Sequence, residues 1–302
     1  MANEDYKLEV VVQNCFQSIG EAPHWEVPTQ SLLCVDIFNG GILRWHRETG
    51  KIAQINVDGN IGFAIPRSQG GLIVGHNNSL ATLDFETKKL GVLATVEDGT
   101  GNRFNDAKCD ASGRLWAGTM GPVVATGTPQ MGVGTLYSLS PDHKLASHLT
   151  ELNISNGMDW SPDNTVMDYI DSMSYSVAAF DFDISSGTMS NKRVLAEFDD
   201  KSMLPDGMCT DIEGKLWVAF YRGSRVCRLD PETGKTLQTI LFPATNVTSC
   251  CFGGKDLDEL YVTSSVYQVS ADDLKHKQPL AGSVFRVTGL GVKGKPANNF
   301  RG

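Results

Sequence analysis

No apolar run in the sequence approaches 18 residues, so no membrane-spanning helix is predicted and no membrane partner is expected. The opening stretch, Met1 to Lys7, carries acids where a signal peptide carries a basic segment, and no apolar stretch comes after it; a cytoplasmic location is the expectation. Positive charge is scarce: 26 Lys and Arg against 35 Asp and Glu leave a formal net charge of −9. That balance argues against a polyphosphate partner, so no nucleic acid is expected. The 7 cysteines form no C-x-x-C and no zinc-type spacing, and an odd, scattered set reads as free thiols in a reducing compartment. The sequons at Asn77, Asn153 and Asn246 are then chance matches. There is no G-x-S-x-G elbow, no H-E-x-x-H and no EF-hand loop, which leaves serine-hydrolase, zincin and EF-hand chemistry without support. Gly289 to Gly294 fits G-x-G-x-x-G, but no helix or βαβ unit fits in the 8 residues after Gly294, so it reads as a terminal loop. Sustained 3.6-residue periodicity is also missing, so helices should be few.

What the sequence does have is glycine, 31 in 302 residues, and internal repetition. Asp110-Ala-Ser-Gly-Arg-Leu-Trp-Ala117 recurs as Asp211-Ile-Glu-Gly-Lys-Leu-Trp-Val218. Half that interval, roughly 50 residues, separates Asp106-Ala-Lys-Cys-Asp110, Asn156-Gly-Met-Asp-Trp160 and Asp206-Gly-Met-Cys-Thr210. Glu21-Ala-Pro-His-Trp25 belongs to the same set. Each start leads into turns and short β-type runs such as Lys215–Ala219 and Arg225–Leu229, closed by turns such as Pro231-Glu-Thr-Gly234. Six units of roughly 40–50 residues suit four-stranded propeller blades. The prediction is an all-β, six-bladed β-propeller with four antiparallel strands per blade, one domain over residues 1–302.

In a propeller the innermost strands line a central channel, so Glu21, Asn105/Asp106, Asn156 and Asp206 should converge at one mouth although they are far apart in sequence. Facing carboxylates and an amide in a channel need a cation, protons or water. Oxygen-only ligands favour a hard divalent ion such as Ca²⁺, Mg²⁺ or Mn²⁺ over zinc. Asp or Asn before Gly is also an ordinary turn signal, and it is the repetition at matching places that favours a site.

Gly20-Glu-Ala-Pro-His-Trp25, Asn102-Arg-Phe-Asn-Asp106, Ala117-Gly-Thr-Met120, Ile154-Ser-Asn-Gly-Met-Asp-Trp160, Tyr169-Ile-Asp-Ser172, Pro205-Asp-Gly-Met-Cys209, Thr248–Gly254 and Val287–Gly294 together resemble the regucalcin family. That family is also called senescence marker protein 30, and it groups with gluconolactonases and the firefly luciferin-regenerating enzyme. The resemblance implies a six-bladed propeller holding one divalent cation and hydrolysing lactones. It implies Glu21, Asn156 and Asp206 as metal ligands, Arg103 and Asn105 as substrate-binding residues, and a small-molecule lactone or ester as substrate. Ca²⁺ is the first choice of ion, with Mg²⁺, Mn²⁺ or Zn²⁺ as alternatives, and a monomer is expected. Asp206 is the expected catalytic base as well as a ligand.

Two departures stand out. Relatives active on sugar lactones carry an acid shortly after Gly-Thr-Met, whereas this chain continues with Gly121-Pro-Val-Val-Ala125. The lid from Gly121 to Gly134 is therefore more apolar, which opens the reading to a less polar lactone, another ester or an organophosphate. A calcium-binding regulatory protein and a hydrolase of luciferin-derived nitriles are the further alternatives. The second departure is Asp168, whose counterparts in other units are Leu33, Leu115, Leu216 and Leu260. It is expected to be solvated at a blade edge or paired with a base. His24 is expected to be structural, with pocket lining as its alternative, and Cys250 and Cys251 should point to opposite faces of a strand.

Overall fold

The computed structural model describes residues 6–124 and 127–302, and among them the chain forms six four-stranded antiparallel sheets. Their innermost strands are Gly20–Glu26, Ile61–Pro66, Arg103–Cys109, Ser155–Trp160, Leu204–Thr210 and Asn246–Gly253. These define blades 1 to 6 in chain order, and within blades 1 to 5 the strands succeed one another outward. One α-helix, Ala271–His276, interrupts the strands among the described residues. Blade 6 is completed differently. Its outermost strand is Lys7–Val12 from the start of the chain, paired antiparallel with Val284–Thr288. The ring is thus closed by joining the two ends of the sequence.

The repeat Asp-x-x-Gly-x-Leu-Trp has a direct physical cause. Asp110 Oδ1 accepts from the backbone N–H groups of Ser112 and Arg114, and Asp211 Oδ1 accepts from those of Glu213 and Lys215. Gly113 and Gly214 supply the left-handed residue that each of these tight turns requires. The second carboxylate oxygen accepts from the indole N–H of Trp116 or Trp217, 3.0 Å in both blades. One side chain therefore closes the turn and anchors the first large residue of the next strand.

The core lies between neighbouring blades. Trp116 of blade 3 packs against Trp160 and Phe182 of blade 4, and Trp25 of blade 1 stacks on Tyr261 of blade 6 with ring centroids 4.9 Å apart. Each fully buried large side chain stabilises the ring by about 1.5–3 kcal/mol.

All six inner strands share one irregularity. Pairing with the second strand slips between Glu21 and His24, Ile61 and Ala64, Phe104 and Ala107, Ser155 and Met158, Pro205 and Met208, and Val247 and Cys250. A bulge of this kind re-aims the side chains it contains. Asn156-Gly157 and Asp206-Gly207 lie inside these bulges, so they are not turns. Their glycines serve close approach: a Cβ on Gly157 would meet the Asp206 carbonyl at 2.7 Å, and one on Gly207 would overlap Ser249 Oγ. Inner strands of adjacent blades touch there, and only a residue without a side chain fits.

Candidate functional site

The bulges bring Asn105, Asn156 and Asp206 to the same register position in blades 3, 4 and 5. They line one pocket with Glu21 and Arg103, a cavity of about 230 Å³ at one mouth of the channel. Glu21 corrects the repeat reading in one respect. The residue equivalent to Asn156 and Asp206 in blade 1 is Ala22, and Glu21 stands one place earlier. Ala22 adopts a left-handed backbone, φ 48°, and its N–H donates to Glu21 Oε2 at 2.5 Å. That conformation is costly for alanine, and it accompanies a glutamate that reaches the site from a displaced position. Asp106 is the opposite case: it stands one place after Asn105 and lines a cavity at the second mouth instead.

Hydrogen bonds fix the amides. Asn156 Nδ2 donates to Ser172 Oγ at 2.8 Å, so Asn156 Oδ1 is the atom left for the site; it accepts from Asn105 Nδ2 at 3.2 Å. Asn105 Nδ2 also donates to the Ser155 carbonyl at 2.9 Å. Arg103 Nη1 donates to Asn105 Oδ1 at 2.9 Å and to the Phe104 carbonyl at 3.0 Å. The guanidinium lies 5.5 Å from the centre of the Phe38 ring. In the sequence Ser172 is marked only as the end of a motif; its role in setting the Asn156 amide depends on a contact that strand spacing does not show.

The electrostatics are unusual. Burial, the Asp206 charge and the Asp106 charge push the Glu21 carboxyl well above its ordinary range. Burial and Asp106 do the same to Asp206, against which Asn156 also lies. Burial lowers the Arg103 guanidinium to about 10 although Glu21 opposes this. Two desolvated carboxyls and one amide oxygen thus share a pocket with Arg103, and Lys201 and Arg222 also line it. Among the described residues no group of three or more His, Cys, Asp and Glu is suited to a metal. The donor set that fits a cation is instead mixed: the carboxylates of Glu21 and Asp206 with the amide oxygen of Asn156. All are hard oxygen donors, and a divalent cation of the calcium or magnesium type fits their charge and chemistry.

The family model described as "SMP-30/Gluconolactonase/LRE-like region" matches residues 19–266. The chain belongs to this family. Regucalcin of Bos taurus is 45% identical over 298 residues, covering 98% of this chain and 99% of the relative. The solved luciferin-regenerating enzyme is 34% identical, with a TM-score of 0.90 over 98% of this chain and 99% of that one. A calcium-binding protein, regucalcin, from Agrobacterium tumefaciens superimposes with a TM-score of 0.90 over 98% of both chains at 24% identity, a likeness of fold. Among the described residues no helix is long and apolar enough to cross a membrane.

Three further sequence expectations meet their outcome away from this pocket. His24 is buried at the other mouth, its Nε2 3.3 Å from Asn299 Oδ1, and burial lowers its imidazole to about 4, so it is neutral. Asp168 is neither solvated nor paired: it is 3% exposed and its Oδ1 has no hydrogen-bond partner. The reason is register, which also corrects its counterparts: they are Leu32, Trp116, Trp217 and Tyr261, not Leu33, Leu115, Leu216 and Leu260. Asp168 lies opposite Asp159 in blade 4, on a strand covered on both sides, so burial first and the Asp159 charge second raise it to about 7. Cys250 and Cys251 do face different surroundings, each in its own apolar cluster. Cys250 Sγ lies 3.7 Å from Cys209 Sγ on the neighbouring blade, a proximity no spacing announced. The seven thiols are all free. In the lid, Ala125 falls outside the described residues.

Proposed function

We propose that the protein is a divalent-cation-dependent hydrolase that opens lactone rings at the pocket holding Glu21, Asn156 and Asp206. The observation that carries this is the convergence of those three oxygen donors with Arg103 and Asn105 on one pocket floor, in a chain of the gluconolactonase-like family. Glu21, Asn156 and Asp206 would hold the cation, with Ca²⁺ the first candidate. When bound, it supplies Lewis-acid polarisation of the ester carbonyl and compensates negative charge developing in the transition state.

The chain's own groups do the rest. Asp206 takes a proton from the attacking water at its carboxylate. Asn105, clamped by Arg103 on one side and by Ser155 and Asn156 on the other, keeps the Asn156 oxygen aimed into the site. Arg103 commits one nitrogen to that clamp, and its remaining N–H groups are donors for substrate oxygens. Removing the cation with a chelator should abolish lactone hydrolysis, and restoring it should recover the rate. Undiminished hydrolysis by thoroughly demetallated protein would end this reading.

A regulatory calcium-binding role is the second reading, favoured by the name that the Agrobacterium neighbour carries. It uses the same ligands but demands an element with two conformations, whereas the ring is closed by strand pairing throughout. Turnover under several divalent ions, set against calcium-dependent capture of a purified partner, separates the two.

A further inference from the structure

Besides its oxygen donors and Arg103, the pocket is lined by Lys201, Arg222, Tyr175, Tyr221, Tyr267 and Gln268, and by a larger apolar set. Phe38, Met120, Val123, Met131, Met173 and Leu204 surround the space above Glu21 and Asp206. Two of these, Val123 and Met131, are each 44% exposed, a costly placement for large apolar side chains unless something covers them. They sit on a lid with its own internal order. Val123 bridges to Pro129, Gln130 N–H donates to the Pro122 carbonyl at 2.9 Å, and Gln268 Nε2 of blade 6 reaches the Gly127 carbonyl at 3.2 Å. The apolar faces are therefore held over the cavity.

We infer that the pocket selects lactones bearing an apolar alkyl or aryl substituent and discriminates against polyhydroxylated sugar lactones. This rests on the lactonase reading for the reaction, and on the walls alone for the class of substituent. A ring ester placed on the oxygen-lined floor sends its substituent between Val123, Met131 and Met173. There an alkyl chain loses its contact with water, while a hydroxyl held against those three side chains loses its hydrogen bonds without replacement. Methionine side chains adapt to irregular apolar shapes, so a range of chain lengths fits the same walls.

Calorimetric binding of lactams to the calcium-loaded protein tests this without any turnover, because a lactam keeps the ring and resists hydrolysis. A series of γ-alkyl γ-lactams should bind about three- to fourfold tighter per added methylene over the first few carbons. Gluconolactam should bind at least tenfold more weakly than the best of that series. Val123→Glu, on the exposed lid where folding is not at stake, should reduce the alkyl preference about tenfold, and Met131→Gln should act in the same direction. A flat response to chain length, no measurable binding of any lactam, or tighter binding of gluconolactam would each overturn the inference. Hydrolysis of the matching lactones is measured in parallel. An alkyl preference in binding with no lactone cleaved under any divalent ion removes the lactonase reading and supports the pocket's selectivity. Faster cleavage of gluconolactone than of every alkyl lactone does the reverse.

Discussion

At both mouths of the channel, buried carboxylates project from bulged inner strands, yet their charges are handled in opposite ways. Asp159 at the second mouth accepts from Lys108 Nζ and Lys295 Nζ, each at 3.2 Å, and from the backbone N–H groups of Trp160 and Thr210 at 2.8 Å. Burial alone would raise its carboxyl, but the two ammonium groups and these N–H donors hold it down at about 2. At the first mouth burial and the charge of Asp106 bear on Glu21 and Asp206, the Asp206 charge adds to this at Glu21, Arg103 opposes it there, and both are pushed up. One end carries its cations covalently, as lysines; the other, under the proposed function, takes one from solution. A buried carboxylate pair that the chain leaves uncompensated marks a candidate site, and a carboxylate satisfied by the chain is a strut.

The largest effect that would test this contrast is at Asp206. Asp206→Ala should lower kcat by roughly 10³-fold or more and weaken divalent-ion binding in the same protein. Asp206→Asn keeps an oxygen ligand and loses the base, so turnover should fall by about 10²-fold or more while ion affinity falls less. Steady-state rates and ion titrations on both variants check this; wild-type turnover in Asp206→Asn rules out the base assignment.

Next is the strut. Asp159→Ala strands two lysines and should destabilise the fold by about 3–5 kcal/mol, read from urea unfolding, with ion affinity at the far mouth unchanged. A loss of ion binding at constant stability would break the comparison.

Asp168 gives a third effect, on pH dependence. Its carboxyl is raised to about 7 in the folded chain, so the native state holds a proton that the unfolded state releases near pH 4. Stability should therefore fall as pH rises from about 4 to about 7 and level off above that. Asp168→Leu places there the residue type of Leu32, its register equivalent in blade 1, which is fully buried. It should raise stability at pH 8 by on the order of 2–4 kcal/mol and much less at pH 5. Equal gains at the two pH values would contradict the assignment.

The smallest effect belongs to Arg103. Arg103→Ala should raise KM about tenfold and leave ion affinity near wild type, since the guanidinium holds Asn105 and substrate rather than the ion. A matching loss of ion affinity would mean that the Asn105–Asn156 clamp depends on Arg103 more than the substrate does.

Much of this molecule is legible in its residues alone. The Asp-x-x-Gly-x-Leu-Trp repeat marks a turn whose carboxylate caps backbone N–H groups and ties down an indole, a wholly local construction, and its spacing counts the blades. Asn105, Asn156 and Asp206 are legible for the same reason: equal places in equal units meet on the channel axis. Family resemblance marks Glu21, but the repeat misplaces it by one position, because a left-handed Ala22 shifts the strand and no residue-type preference signals it.

Local pattern alone determined the strand periods, the turns and the blade count, since each depends on a few neighbouring residues. The tertiary structure decided what depends on pairs distant in sequence. It closed blade 6 with Lys7–Val12, set Ser172 behind Asn156, and brought Cys209 to Cys250. It also left Asp168 without a partner while giving Asp159 two, because blade register determines which buried charges meet a cation and a hydrophobic period does not encode it.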